Sequence, residues 1–406
     1  MAKNQKPAGV GGSNWPVRWG AAALVTAFIL IAFEGLAWGV YSQRDYVRDL
    51  LRDIGGIGGV GQLQLDSYEM VDPVIPGHWR LRPNFVASSA ALVAEKRDAG
   101  KWLGAAAIQN AQDTDNKSIL KINSAGFKGS ELDATHRCPR VLMLGDSVTF
   151  GVGAFSYPNF VRTTFLDSNI KAEVVNGGVE GYDLNNILNE LPRYLALKPE
   201  IVTIYIGWNV IFATDIDAIA AAVPLKSVWL IRHALDAIYG MIGDGASNAT
   251  HAYQKKLNAN PESPVIAKVR DHRFESFRDI RKIIDAFRSI DSEVYLITLM
   301  GLFQADLSPS PAALSIGHLP AGTDNPFVFA ALTNQANDEL KSAVSGDGVH
   351  LIDLQAWGRE NLQPPSSYFL DSVHFNSEGL KEVGGYLASK LAKPVRARDT
   401  GCHLEE

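Results

Sequence analysis

Val141-Leu142-Met143-Leu144 runs directly into Gly145-Asp146-Ser147, with Val148-Thr149-Phe150-Gly151 following. Apolar residues without a polar interruption read as a strand buried on both faces. A small residue, an acid and a hydroxyl then end the run, and helical residues come soon after. A serine on a strand-to-helix turn stands exposed at the sheet edge. Its hydroxyl can face a substrate and its N–H can face a developing oxyanion. The plainer reading is a helix N-cap, a position where Asp and Ser are both favoured. Gly145 and Gly151 allow the tight backbone that either reading needs.

Downstream, the same alternation of strand and helix continues. Val174-Val175 opens a second strand, and Ile201 to Ile206 forms a third. Val294 to Leu299 forms a fourth and Val349 to Leu354 a fifth. Tyr157 to Asp167, Leu184 to Leu197 and Phe274 to Ser289 have helical period, and a last helix runs from about Ser377 to Leu391. This order predicts an α/β fold, a parallel doubly wound sheet. Residues 211–272 interrupt it between the third and fourth strands, an insertion of the size of a lid or pocket wall. Residues 66–137 hold short apolar pieces punctuated by Pro and Gly, and read as a small β-rich extension.

Active sites of such sheets lie beyond the carboxyl ends of the strands. Several candidates fall there. Asp371-Ser372-Val373-His374 precedes the last helix. Its imidazole could take the proton of a serine hydroxyl, with the carboxylate fixing the tautomer; by itself His374 could equally be a capping residue. Asn209, directly after the third strand, offers an amide to an oxyanion. Gly181 lies in Asn176-Gly177-Gly178-Val179-Glu180-Gly181-Tyr182 and lets a backbone N–H approach a substrate, with Gly178 as the competing choice. Each of these alone is more often structural. Taken in chain order they reinforce one another.

Together the blocks at 145–147, 181, 209 and 371–374 resemble those of the SGNH (GDSL-like) hydrolase family. The resemblance covers roughly residues 138–393. It implies a three-layer flavodoxin-like sheet and ester hydrolysis through an acyl-enzyme, without cofactor or metal. It makes Ser147 the nucleophile, His374 its base, Asp371 the acid, and Ser147, Gly181 and Asn209 the oxyanion hole. Val210 departs from the family, which usually has Asp after that Asn. Gly77-His78-Trp79 with Pro83-Asn84, and Asn123-Ser124-Ala125-Gly126-Phe127-Lys128-Gly129, are similar to stretches of bacterial envelope members. An O-acyltransferase or deacetylase acting on envelope polysaccharide, and a non-catalytic binding module on the same fold, are the rival functions.

The N-terminus carries a separate signal. Trp19 to Tyr41 reads WGAAALVTAFILIAFEGLAWGVY, with Glu34 its one charge. At 1.5 Å per residue this stretch can cross ~30 Å of hydrocarbon, and Trp15, Trp19, Trp38 and Tyr41 mark its ends like interfacial belts. Glu34 is the difficulty, because a carboxylate in mid-membrane costs about 2.5–3.5 kcal/mol. The rival reading is a cleaved signal peptide with Ala21 to Phe33 as its apolar core. The anchor reading gives a cytoplasmic tail at 1–18, a span at 19–41 and a linker at 42–65, with the catalytic part outside the cytoplasm at the inner (plasma) membrane. The linker includes the Gly-rich joint at 55–61.

Composition sets the outer limits. Hydrophobic residues make up 46% and charged residues 20% of the 406, which is enough for a packed core. A formal net charge of −6 excludes the basic footprint of a nucleic-acid binder. The histidines form no HxH or HExxH pair, so no metal is expected; His350 falls in a strand and is expected to pack. Cys138 and Cys402 are the two cysteines. In a sheet of the kind the resemblance implies, Cys138 precedes the first strand opposite the active site and the last helix runs back towards it. Outside the cytoplasm the two could pair, or Cys402 could lie in a free tail at 394–406.

Overall fold

The computed structural model describes residues 15–42, 65–75, 78–98, 119–153, 155–220, 227, 231, 257–320, 322–399 and 401–402. Most of the expected insertion at 211–272, the Gly-rich joint and the N-terminal tail lie outside these residues.

The larger unit comprises residues 62–222 and 243–406. Its centre is a five-stranded parallel sheet in the order β6-β5-β7-β8-β9. The strands are β5 (Arg140–Gly145), β6 (Glu173–Gly178), β7 (Ile201–Tyr205), β8 (Glu293–Ile297) and β9 (Val349–Ile352). In β5, Val141, Leu142, Met143 and Leu144 are fully buried, each contributing about 1.5–3 kcal/mol of hydrophobic stabilisation. That burial on both faces is why the strand shows no alternation in sequence.

Helices cover both faces. The helix Ser377–Arg398 packs on Tyr157–Asp167, and Ile280–Arg288 packs on Leu184–Ala196. The connection β5–β6 runs one way along the sheet and β6–β7 the other. Right-handed crossovers therefore put the two pairs on opposite faces. The strand order also reverses beside β5, and this is where doubly wound sheets open a crevice.

Two small antiparallel ribbons precede the sheet. One pairs β1 (Glu69–Val71) with β2 (Trp79–Leu81), the other β3 (Val86–Ser88) with β4 (Ile119–Lys121). The extension is thus stranded, and it also carries a helix at Ser89–Asp98.

Three expectations need correction. The segment from Phe274 to Ser289 is not one helix: a 3₁₀ turn, Glu275–Asp279, precedes Ile280–Arg288. His350 is not packed away. It sits on the edge strand β9 with its side chain 43% exposed, stacked on Tyr295 at 4.5 Å. The last helix does not stop near Leu391 but continues through Pro394 to Arg398, because Val395 is fully buried in the core. Residues 394–406 therefore do not begin as a free tail.

Cys402 is buried and disulfide-bonded to Cys138, which lies just ahead of β5. The bridge ties the end of the last helix to the start of the central strand. Replacing both cysteines by serine is expected to lower stability by about 2–5 kcal/mol, read as a shifted midpoint in urea unfolding. Reduction of the wild type should reproduce the shift.

The smaller unit comprises residues 1–61 and 223–242. A helix runs Trp15–Ser42 and so contains the whole expected span. Among the described residues no helix is long and apolar enough to cross a membrane; the described side chains of this one begin at Leu24. Glu34 accepts a hydrogen bond from the Ser227 N–H at 3.0 Å.

Candidate active site

Ser147 is the first residue of a short helix, Ser147–Phe150, directly after β5. Asp146 is its N-cap, accepting from Val148 N at 3.0 Å. The cap is thus Asp146, while Ser147 itself is half-buried. The Asp146 side chain is fully buried, and burial raises its pKa to about 6, against the pull of the Val148 N–H and the nearby His374. Tight packing of β6 beneath this helix depends on Gly178. A Cβ there would lie 2.2 Å from Phe150 N.

Asp371 and His374 lie on the segment that leads into the last helix, whose N-cap is Asn376. The cap is thus Asn376, and His374 is left for other work. Ser147 Oγ lies 2.8 Å from His374 Nε2, and His374 Nδ1 lies 2.8 Å from Asp371 Oδ2. Asp371 Oδ1 accepts from the N–H groups of Val373 and His374, each at 2.8 Å. With its carboxylate held in this way, Nδ1 carries the proton and donates it. Nε2 is then the acceptor that faces the serine hydroxyl.

Electrostatics agree with that assignment. Burial alone would raise the Asp371 pKa, but the imidazole charge and hydrogen bonds of His374 hold it well below the usual carboxylate range. Burial alone would lower that of His374, and the Asp371 charge overcomes it, so the imidazole titrates above its ordinary 6.5. A basicity raised by the Asp371 carboxylate favours proton uptake from a hydroxyl. His318, absent from the expected set, lies close enough to feel both groups; burial lowers its pKa and Asp371 opposes this.

Gly181 and Asn209 converge on the same end of the sheet. Gly181 is exposed with φ +77°, a conformation that favours glycine. Gly178, the alternative, is buried, and its N–H is committed to Asn176 Oδ1 at 2.9 Å. Asn209 lies in the first turn of Trp208–Phe212, and its Nδ2 donates to the Tyr182 carbonyl at 2.8 Å. An amide nitrogen has two hydrogens. One therefore fixes the Gly181 loop while the second remains for a ligand. The Val210 departure leaves this arrangement in place. Asn209→Ala is expected to lower kcat by about 10²–10³-fold with KM little changed. Steady-state kinetics on a soluble ester would read the split.

Asp72, His78 and Glu190 form a group whose ligand atoms lie within 4.8 Å of one another, so they could hold a metal on distance alone. Cations already occupy it. Arg80 pairs with Asp72 and with Glu190 at 2.6 Å each, and Arg193 pairs with Glu190 at 2.7 Å. Burial would raise the Glu190 pKa, but hydrogen bonds from His78, Arg193 and Arg80 bring it down to about 2. The group is a charge-balanced tie between the extension and the helix Leu184–Ala196.

Among curated proteins none matches the chain. Solved structures that resemble it include a lipase/acylhydrolase from Enterococcus faecalis, 17% identical, with a TM-score of 0.36, covering 63% of this chain and 96% of that one. An acetylxylan esterase from Geobacillus stearothermophilus is 15% identical, with a TM-score of 0.39, covering 63% and 94%. An α/β hydrolase from the metagenome of Lake Arreo, Spain, is 13% identical, with a TM-score of 0.39, covering 63% and 95%. Likenesses this distant say nothing of the substrate. The family model of the GDSL-like lipases and acylhydrolases matches residues 143–381, more than half of the chain and a span that contains Ser147, Gly181, Asn209, Asp371 and His374. The chain therefore belongs to the GDSL-like lipase/acylhydrolase (SGNH) family and is a hydrolase of ester bonds.

Proposed function

We propose that the protein is a membrane-anchored serine esterase that cleaves an acyl group from an alcohol or acylated carbohydrate through an acyl-enzyme on Ser147. The observation that carries this reading is the unbroken chain of contacts from Ser147 Oγ through His374 to Asp371, at 2.8 Å and 2.8 Å. His374 Nε2 takes the hydroxyl proton as Oγ bonds to the acyl carbon, and the carbonyl electrons move onto oxygen. The N–H groups of Ser147 and Gly181 and the second hydrogen of Asn209 Nδ2 receive that oxyanion. On collapse the ester C–O bond breaks and His374 returns the proton to the leaving alcohol. Water then repeats the sequence with the acyl group, its proton going to His374 and finally to Oγ. Asp371 stays ionised throughout and steadies the imidazolium.

An N-terminal anchor at 19–41 is supported by the helix Trp15–Ser42 and by what its described side chains face. Leu24 is 74% exposed, and Phe28 and Ile31 are each 72% exposed, an apolar surface that water does not favour. The Cys138–Cys402 disulfide supports a catalytic domain outside the cytoplasm, at the inner (plasma) membrane, where such bonds persist.

One experiment tests both parts. Intact cells expressing the full chain are treated with a membrane-impermeant fluorophosphonate, and the adduct is mapped by mass spectrometry. Labelling of Ser147 in a membrane-bound chain is the expected result. Absence of an adduct on catalytically competent, accessible protein would refute the serine mechanism. An adduct on a chain released into the soluble fraction would refute the anchor. Offering a sugar acceptor in the turnover assay separates release to water from transfer.

A further inference from the structure

Two sequence stretches ahead of the sheet, His78-Trp79 and 123–129, have no part in the chemistry above, yet they grip the site from two sides. Trp79 Nε1 donates to the Glu180 carbonyl at 3.1 Å. Tyr182 hydroxyl donates back to the Trp79 carbonyl at 2.5 Å, and the two rings meet edge to face at 5.6 Å. Between Glu180 and Tyr182 lies Gly181. A Cβ on it would come 3.1 Å from Trp79 Cζ2, so the indole lies against that turn. Tyr68 adds a further tie, its hydroxyl donating to Glu180 Oε2 at 2.8 Å.

On the other side, the buried Lys128 Nζ donates to the Phe150 carbonyl at 2.7 Å and sits 4.4 Å from the Phe150 ring centroid. Phe150 ends the short helix that Ser147 begins. The ammonium thus joins Asn176 Nδ2, at 3.4 Å, on the carbonyl at the C-terminal end of that turn, where positive charge is favourable. Arg193, on the helix after the Gly181 loop, donates to the carbonyls of Ala125 and Gly126 at 2.7 and 3.0 Å. Asn209 closes the frame by holding the Tyr182 carbonyl at 2.8 Å.

We propose that Trp79 and Lys128, both ahead of the sheet, are positioning residues of the active site that hold the Gly181 loop and the Ser147 turn at the separation an oxyanion needs. This rests on the esterase reading. The physical reason is that an exposed loop at positive φ has few internal contacts of its own. A donor held 2.7–3.1 Å from a developing charge loses its value when it wanders by about 1 Å. The indole N–H, the Tyr182 hydroxyl and the Asn209 amide supply that restraint from three directions.

Trp79→Phe tests it in the full chain with p-nitrophenyl acetate. A smaller aromatic ring replaces the indole, and the N–H to Glu180 goes together with the benzo-ring contact at Gly181. The expected result is a roughly tenfold loss of kcat with KM within about twofold, the size of a small donor displacement. Phosphonylation of Ser147 by a fluorophosphonate, which also builds negative charge on oxygen, should slow in the same ratio. The pH midpoints should stay in place, because His374 and Asp371 are untouched. On an Asn209→Ala background the same substitution should cost less than on wild type, since both act on one loop; a merely structural role would be additive. Thr135→Ala, between the extension and β5 and with its exposed hydroxyl on Asp133, should keep wild-type kcat. If Trp79→Phe does not fold, Tyr182→Phe removes the second hydrogen bond of the same contact, its hydroxyl to the Trp79 carbonyl, and should show the same pattern. Wild-type kcat in the folded variant, or additive losses with Asn209→Ala, would overturn the brace alone. A wild type that neither turns over nor labels would overturn the esterase reading and the brace with it.

Discussion

Ser147→Ala should lower kcat by on the order of 10⁶-fold while leaving the fold intact. Ser147 is partly exposed, and the contact its Oγ makes is with His374 Nε2 at 2.8 Å, so its loss opens no cavity in the core. The remaining residues should not sustain useful turnover: without Oγ no acyl-enzyme forms, and His374 could at best activate water in a geometry built for a side chain. A residual acceleration of about 10³–10⁴-fold over the uncatalysed reaction should survive, because the oxyanion donors at Gly181 and Asn209 are untouched. The measurement is hydrolysis of p-nitrophenyl acetate by purified wild type and variant, with thermal unfolding as the check on folding. A folded variant that works at the wild-type rate would remove Ser147 from the mechanism.

The strands were legible because full burial leaves an unbroken apolar run. Val141–Leu144 carries that signature, and Ile201–Tyr205 carries it around the one buried polar residue Thr203; the structure extends the first to Arg140 and Gly145. Tyr157–Asp167 is framed in the sequence itself, with Ser156 as N-cap and Pro158 in the first turn. The helix Pro326–Ala343 offered the same signal, Asn325 followed by Pro, but it is buried along most of its length and so shows little amphipathic contrast. The last helix, expected to end near Leu391, runs on through Pro394, where the burial of Val395 outweighs the hydrogen bond that the proline removes.

The site divides differently. Short motifs placed Ser147, Asp371 and His374 on turns after strands, since the chemistry restricts which residue types can stand there. Choosing Gly181 over Gly178 required knowing where each N–H points. Gly178 gives its hydrogen to Asn176, a contact within the strand ending that spacing does not reveal. Long-range ties were beyond reach for a similar reason. His78 with Glu190 and Trp79 with Glu180 are each separated by about a hundred residues in sequence, and only the folded chain brings them together.

Asp371→Asn should cost about 10⁴-fold in kcat at neutral pH and also move the pH profile, which a loss of stability would not do. The backbone N–H groups of Val373 and His374 both point at Oδ1, so the substituted amide must keep its oxygen there. Its NH₂ then takes the place of Oδ2 and faces His374 Nδ1. Two donors cannot share that contact, so Nδ1 gives up its hydrogen and becomes the acceptor. The imidazole proton moves to Nε2, where it points at the Ser147 hydroxyl and blocks proton uptake. The pH dependence follows from the same geometry. In the wild type burial lowers the His374 pKa but Asp371 overcomes it, so the imidazole titrates above 6.5. Catalysis needs the neutral ring, so kcat/KM falls as pH drops through that raised value. Without the carboxylate, burial dominates and the cation is disfavoured. The acid limb of the variant's residual activity should therefore lie at lower pH than that of the wild type. An Asp371→Asn enzyme with an unmoved acid limb and kcat within tenfold of wild type would mean that Asp371 neither orients nor charges the base.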